Sequence, residues 1–361
     1  MDFSSKPPQN RDENSKAASS IRTSRIILPA LLGAGVVMYL FWRQFDPREF
    51  KALEWNARMG WGLAIALALA VLRHVAYALR LNVLSHGELS FKKAVKSVFL
   101  WEFASSVSPT AVGGSAVALF ILSREKIGVA KSTAVVLYTV VLDSLFMMLF
   151  VPVLYLIFGP GIMRPGATTF AEAGAWGYYF LFAYLAMAAY TGLFFYGTFI
   201  GPHRMKRFLG VMTSFSMFRR FRRQAIVLGN EFVTASATLR GESPGFHLRA
   251  FGYTFLAWAP RFLLLSAIIA AFIPSLPLDF MTQLELYARL KTMFFVLVFS
   301  PTPGGAGLIE LLFGGFLSDY VSSSTVSTVI ATVWRLISYY FYLLAGVLII
   351  PAWLRKTSEN A

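Results

Sequence analysis

The chain has 361 residues, of which 57% are hydrophobic and only 14% charged, too apolar for a soluble domain, whose apolar share is about 45–50%. Its formal net charge of +15 sits mostly between apolar runs, which excludes nucleic acid as a partner and points to membrane topology and anionic lipid. No cysteine is present, so disulfides, thiolate chemistry and Cys-ligated metals are excluded.

In chain order, residues 1–25 are polar and Ser- and Asn-rich and read as a disordered, cytoplasmic N-terminus. Residues 26–42 form an apolar run without a small-x-small cleavage site and are expected to stay as a first membrane helix. The stretch "DPREFKALEWNAR" carries Asp46, Pro47 and Glu49 in a capping-box arrangement, with Phe50, Leu53 and Trp55 as apolar anchors, and reads as an interfacial helix. Five further runs reach the roughly 20 apolar residues that cross about 30 Å of hydrocarbon: 59–81, 132–158, 174–200, 248–273 and 325–353. Residues 354–361 read as a cytoplasmic tail. Between the fourth and fifth helices, "MKRFLGVMTSFSMFRRFRRQ" interleaves five aromatic or Met side chains with arginines; it reads either as a plain basic loop or as an amphipathic helix, 204–223, that grips anionic lipid.

Two segments, 94–122 and 283–316, are too broken for one straight helix and too apolar for loops. The first contains "VSPTAVGGSAVALF" and the second "FSPTPGGAGLIELLF". Proline lacks an amide and disfavours a helical residue before it, and paired glycines remove side chains, so each motif is expected to break its helix. Lys92 and Lys93 before the first motif, and Arg124, Lys126 and Lys131 after it, place both its ends on one side. With both segments re-entrant, the inside loops carry 21 Lys and Arg and the outside loops 5, which places both termini in the cytoplasm of a cell (inner) membrane protein. Repeat halves then run over about 59–158 and 248–353 with opposite topology. The expected fold is therefore an all-α polytopic membrane protein, six transmembrane helices plus two re-entrant broken helices in an inverted repeat.

Spacing supports the repeat: Asp143 follows Ser108 by 35 residues, and Arg335 follows Ser300 by the same interval. Helices restarting after Gly114 and after Gly305 would aim free amides and a positive dipole end inward, toward an anionic group such as a lipid phosphate. Discontinuous helices in both halves of an inverted repeat point to a transporter's binding site. The candidate translocation residues are Ser108, Pro109, Thr110, Gly113, Gly114, Ser300, Pro301, Thr302, Pro303, Gly304, Gly305 and Gly307, with the cations Arg73, Arg261 and Arg335. Glu102, Asp143 and Glu310 are candidates for charge balance or proton coupling, since ionisable groups at membrane depth face a cavity or a partner. Pairing for assembly, for example Asp143 with Arg335, is the plainer reading of the same charges. Arg80, Arg289 and Lys291 lie nearer the interfaces and are expected to snorkel. With four histidines and no HExxH pattern, no metal or cofactor is expected.

These motifs resemble the transmembrane, flippase-like region of the lysylphosphatidylglycerol synthase family. Its pattern of Pro-x-Pro-Gly-Gly-x-Gly followed by an acid is met by Pro301, Pro303, Gly304, Gly305, Gly307 and Glu310. In the first half, Gly113, Gly114, the exit 122–124 and Asp143 meet it as well. The resemblance implies a lipid translocase for residues 26–353, moving a lipid or lipid-linked substrate with a polar, phosphate-bearing headgroup. Only eight residues follow Trp353, so the lysyl-transferring domain of the full synthases is expected to be absent, and with it catalytic residues. Many family members also carry an Arg shortly before the Asp, where this chain reads "YTVVLD". Two other classes stand beside translocation: a membrane-embedded enzyme on a lipid-linked substrate, and an accessory subunit of a lipid- or glycan-modifying transferase. A homo-oligomer is compatible with all three.

Overall fold

The computed structural model describes residues 48, 51, 55–107, 111–297, 312–313, 315–321 and 323–359. The first membrane helix (26–42), the capping box at 46–49 and both flanking Ser-Pro-Thr stretches lie outside the described residues. The described chain is an all-α membrane protein, with no strand among the described residues.

Eleven α-helices follow one another among the described residues. They are α1 (Ala57–Leu84), α2 (Phe91–Val107), α3 (Ala111–Arg124), α4 (Val129–Phe158), α5 (Gly174–Phe195), α6 (Pro202–Met212), α7 (Arg222–Leu239), α8 (Pro244–Phe272), α9 (Phe280–Leu297), α10 (Ser324–Arg335) and α11 (Phe341–Glu359). Five stretches are long and apolar enough to cross a bilayer: Ala57–Leu84, Val129–Ile162, Gly174–Ile200, Pro244–Phe272 and Ser324–Trp353. They coincide with five of the six runs read from hydropathy.

The long antiparallel contact between α1 and α8 is the spine of the bundle. Gly62 lets it close, because a Cβ there would stand 2.6 Å from that of Ala271. At one end Arg58 donates to the carbonyls of Ala270 (3.0 Å), Ile273 (3.3 Å), Pro274 (2.7 Å) and Leu276 (2.7 Å). One side chain thereby satisfies carbonyls that the end of α8 leaves open. At the other end His86, just past α1, meets Glu242 just before α8, at 3.1 Å. Around this spine, α2 packs on α1, α3 packs on α2 and α4, α4 crosses α8, and α9 fills the space between α8, α4 and α5. Apolar side chains such as Leu156, Phe182 and Leu348 face outward, as expected where the solvent is lipid.

The pair α2–α3 is a hairpin. Lys93, near the start of α2, and Glu125, just past α3, meet at 3.2 Å, and Trp353 Nε1 donates to the same glutamate at 2.8 Å. At about 1.5 Å per residue the two arms run only about 25 and 21 Å. α2 is helical to Val107 and α3 is already helical at Ala111. The sequence reading put the restart after Gly114; instead Gly113 and Gly114 belong to the first turn of α3. Glycine is tolerated in a first turn, whose amides have no intrahelical partner.

The basic stretch 204–223 is likewise not one helix. It divides into α6, a break at Thr213–Phe215 and a 3-10 turn over Ser216–Phe221. It then continues into α7, which the sequence reading left inside a loop.

Replacing Gly62 with Leu forces α1 off α8. The folded protein in detergent should lose about 1–3 kcal/mol, seen as a lower thermal midpoint, whereas Gly60→Leu, whose Cβ meets nothing within 4 Å, should leave the midpoint unchanged.

Candidate functional site

Arg73, Tyr77 and Arg80 follow one another at helical spacing and share one face of α1. Arg73 donates to Glu102 Oε1 at 2.7 Å and to the Tyr342 hydroxyl at 3.2 Å. Arg80 donates to Asp143 and, at 3.2 Å, to Thr254 Oγ1. The Tyr77 ring lies by both guanidinium groups, 5.0 Å from that of Arg73 and 4.8 Å from that of Arg80. Asp143 also accepts from Trp258 Nε1 at 2.7 Å. One face of α1 thus holds α2, α4, α8 and α11 by polar bonds.

The two arginines and their acids differ in accessibility. Each guanidinium side chain is 5% accessible, while Glu102 retains 22% and Asp143 26%. Asp143 stands at the middle of the 30-residue α4, about 20 Å from either end. A carboxylate in that position cannot face hydrocarbon without a large penalty.

The sequence suggested Asp143 with Arg335 as a structural pair; the bonds form with Arg80 and Trp258 instead. Arg335 is buried in its own place, with its guanidinium 5.9 Å from the Tyr339 ring, whose hydroxyl donates to the Ser106 carbonyl at 3.1 Å. Nor do Arg80, Arg289 and Lys291 snorkel, since all three are buried. Arg289 is held by Asp319 at 2.6 Å and Glu285 at 2.6 Å. Lys291 is 0% exposed and donates to the Phe146 carbonyl at 3.2 Å, with the Phe146 and Phe150 rings 3.8 and 4.8 Å away. These side chains reach inward because helices on every side supply acceptors or ring faces, which snorkelling would forgo.

Arg261 differs from the rest. Its guanidinium lies 5.3 Å from the Trp258 ring and 5.2 Å from the Phe294 ring, and its Nε, like those of Arg73 and Arg289, is buried with no hydrogen-bond partner. Among the described residues no carboxylate forms an ion pair with it, although Arg73, Tyr77, Glu102 and Tyr342 lie within electrostatic reach. The neighbouring His74 is satisfied, by the Tyr342 hydroxyl and the Val95 carbonyl, each at 3.2 Å.

Contacts in the two halves of the chain fall at matching positions. Arg73 and Arg261 each stand eleven residues before the last residue of their helices, Leu84 and Phe272. Glu102 and Phe294 each stand six residues before the motif serines, Ser108 and Ser300. Arg73 meets Glu102; Arg261 meets Phe294. One residue further along, His74 packs on Phe99 (4.0 Å) and Phe262 lies beside Lys291 (5.9 Å). Phe99 and Lys291 each precede their serine by nine residues. Across the halves, Phe99 touches Tyr342 (5.7 Å) and Lys291 touches Phe150 (4.8 Å), and each of these partners follows its own serine by forty-two residues.

Of the other sequence candidates, Gly113 and Gly114 are helical in α3. Ser108, Pro109, Thr110, Ser300, Pro301, Thr302, Pro303, Gly304, Gly305, Gly307 and Glu310 lie outside the described residues. Tyr77, Tyr342, Trp258 and Thr254 escaped the sequence reading. The spacing of Arg73, Tyr77 and Arg80 along one apolar helix was the available signal for the first.

Two hollows lie toward the ends of the bundle and not at this cluster. One, of about 360 Å³, is lined by Met163, Arg164, Trp176 and Phe316 among others. The other, of about 430 Å³, lies between α3, α4 and α7 beside Glu231, whose carboxyl burial pushes above its ordinary range. At the same end α6 keeps Met205 inward, and Arg204, Arg207, Phe208, Val211, Phe215, Met217, Arg219 and Arg220 outward.

A family model for the lysylphosphatidylglycerol synthase TM region matches residues 26–346. The chain belongs to that family. Among curated proteins it is similar to a UPF0104 membrane protein of Archaeoglobus fulgidus, 24% identical over 310 residues that cover 82% of this chain and 88% of that one. No solved structure matches the chain. Membership ties the protein to lipid handling in a membrane, and the cluster on α1 is its charged interior.

The Arg80–Asp143 pair yields a stability test. Asp143→Asn strands a buried guanidinium, and the loss should be about 3–5 kcal/mol. Pairing it with Arg80→Met should recover most of that loss, as measured by thermal unfolding in detergent for both singles and the double.

Proposed function

We propose that this chain is a lipid translocase of a cell (inner) membrane, with both termini cytoplasmic, carrying a lipid with a polar, phosphate-bearing headgroup between leaflets through a wet interior. The observation that carries this reading is a pair of partly accessible carboxylates, Glu102 on the short α2 and Asp143 midway along the membrane-length α4, each bonded to a buried arginine of α1. Charge at that depth with surface still open implies water or a polar guest beside it, not acyl chains.

On this reading α2–α3 is a re-entrant hairpin, and residues 283–316, beginning in α9, form its counterpart from the opposite side. The two halves are an inverted repeat. Supporting it are the antiparallel α1 and α8, the contacts at matching distances from Ser108 and Ser300, and the hairpin base closed by Lys93 and Glu125. Repeats of this kind move by rocking against one another around a central site. The motif residues 108–110 and 300–307 would meet the headgroup, with Arg73, Arg261 and Arg335 supplying positive charge. Glu102, Asp143 and Glu310 would balance that charge or carry coupling protons.

The outward face of α6 and the following 3-10 turn belongs to the same reading. Seven Lys and Arg stand between positions 204 and 223, and no acid occurs from 201 to 230. Exposed Phe208, Val211, Phe215, Met217 and Phe221 lie among them. Such a surface seats at an anionic headgroup layer, each cation adding about 1 kcal/mol.

Two experiments test the proposal. Purified protein in vesicles carrying a trace of headgroup-labelled phospholipid should expose inner-leaflet label to a membrane-impermeant quencher, and Glu102→Gln should slow this at least tenfold while the protein elutes as a folded species. Failure of the unaltered protein to move any phosphate-headgroup lipid would defeat the reading. For the basic surface, the absence of native cysteine allows a fluorophore at Met217→Cys. Its emission should shift blue in vesicles rich in phosphatidylglycerol and not in phosphatidylcholine alone, and Gln at Arg219, Arg220, Arg222 and Arg223 should remove the difference.

A further inference from the structure

The two halves of the charged interior are built alike but are not charged alike. In the first, the arginine of the leading helix meets a carboxylate, Arg73 with Glu102 at 2.7 Å. In the second, the position corresponding to Glu102 holds Phe294, and the corresponding arginine, Arg261, meets a ring face at 5.2 Å instead. A ring face attracts a cation but does not neutralise it.

We propose that Arg261 is an oxyanion-binding residue, paired with no carboxylate among the described residues, on which a phosphate group can take the place that Glu102 holds on Arg73. This rests on reading the two halves as repeats that carry a headgroup through the interior.

Four observations converge on it. The Arg261 Nε is buried and bonded to nothing. Trp258 and Phe294 occupy ring-stacking positions around the guanidinium, so its remaining N–H donors are free to grip two oxygens of one planar or tetrahedral anion. The nearest acid, Glu102, is already engaged by Arg73, and Asp143 by Arg80 and Trp258. The Tyr77 hydroxyl lies in the same neighbourhood and can donate to another of the phosphate's oxygens. A half-buried cation that meets no carboxylate among the described residues is costly in a membrane interior. A ligand that supplies the counter-ion is therefore bound with the energy otherwise lost.

The test supplies the missing carboxylate from within. Phe294→Glu places an acid where the first half has one, and Arg261→Gln removes the charge outright. Full-length protein in neutral detergent is titrated with short-chain phosphatidylglycerol, with short-chain phosphatidylcholine and with inorganic phosphate, the thermal midpoint being read at each concentration. The unaltered protein should show a saturable rise in midpoint. Both variants should weaken that response at least tenfold, and Arg261→Lys should weaken it less than Arg261→Gln. Phe294→Glu should itself be no less stable than the unaltered protein without ligand, because it pairs a stranded charge. A response to both lipids and not to inorganic phosphate makes a lipid phosphodiester the ligand; an equal response to inorganic phosphate makes it free phosphate, and either outcome supports an oxyanion site. An unaltered response in Arg261→Gln or in Phe294→Glu overturns the proposal, as does the absence of any saturable response in the unaltered protein. The titration does not measure transport, so a site that binds in a protein that moves no lipid defeats the translocase reading alone.

Discussion

The interior of this protein depends on one constraint: an arginine inside a membrane must find an anion or a ring without leaving its helix. The face of α1 that carries Arg73, Tyr77 and Arg80 meets it by drawing α2 in through Glu102, α4 through Asp143, α8 through Thr254 and α11 through Tyr342. Apolar packing in lipid offers little to tell one helix neighbour from another, because acyl chains are as apolar as leucine. The ion pairs and hydrogen bonds supply that discrimination. Gly62 and the carbonyl clamp of Arg58 hold α1 against α8 closely enough for the polar reach to work.

The same face gives the molecule its asymmetry. Under the proposed repeat, Glu102 corresponds to Phe294, Phe99 to Lys291 and His74 to Phe262, so acid, ring and cation change places between the halves. A binding site lying between two similar halves needs some such difference to hold a charged guest in one orientation. Under the proposed reading, the first half is internally neutralised and the second receives the guest. Lys291, wrapped by Phe146 and Phe150, adds another cation to that second half without an acid of its own among the described residues.

Much of the fold could be read from the sequence, and for a physical reason. Apolar runs of bilayer length fix the spans, so 174–200 and 325–353 fall within a residue of the helices that form. The start of α3 was misplaced, at Gly114 and not Ala111, because a first turn tolerates glycine. Partner choice was not legible. Arg80 was expected to extend to an interface, and Arg335 was only one example weighed as a partner for Asp143, because sequence distance from a helix end says nothing about which helix crosses nearby. The crossing of α8 over α1 and α4 decides both, and it brings Thr254 and Trp258 to positions no spacing rule would nominate. The helix α7 was hidden for the opposite reason, its polar composition resembling a loop until α4 and α6 gave it a surface to lie on.

Glu125 sits where three elements converge: just past the end of α3, against Lys93 at the root of α2, and under the indole of Trp353 in α11. A single acid thereby bolts the mouth of the hairpin to the chain's closing helix. A tilt of the hairpin either carries α11 with it or breaks these contacts, so the far C-terminal segment is tied to the mouth of α2 and α3 across more than two hundred residues of chain.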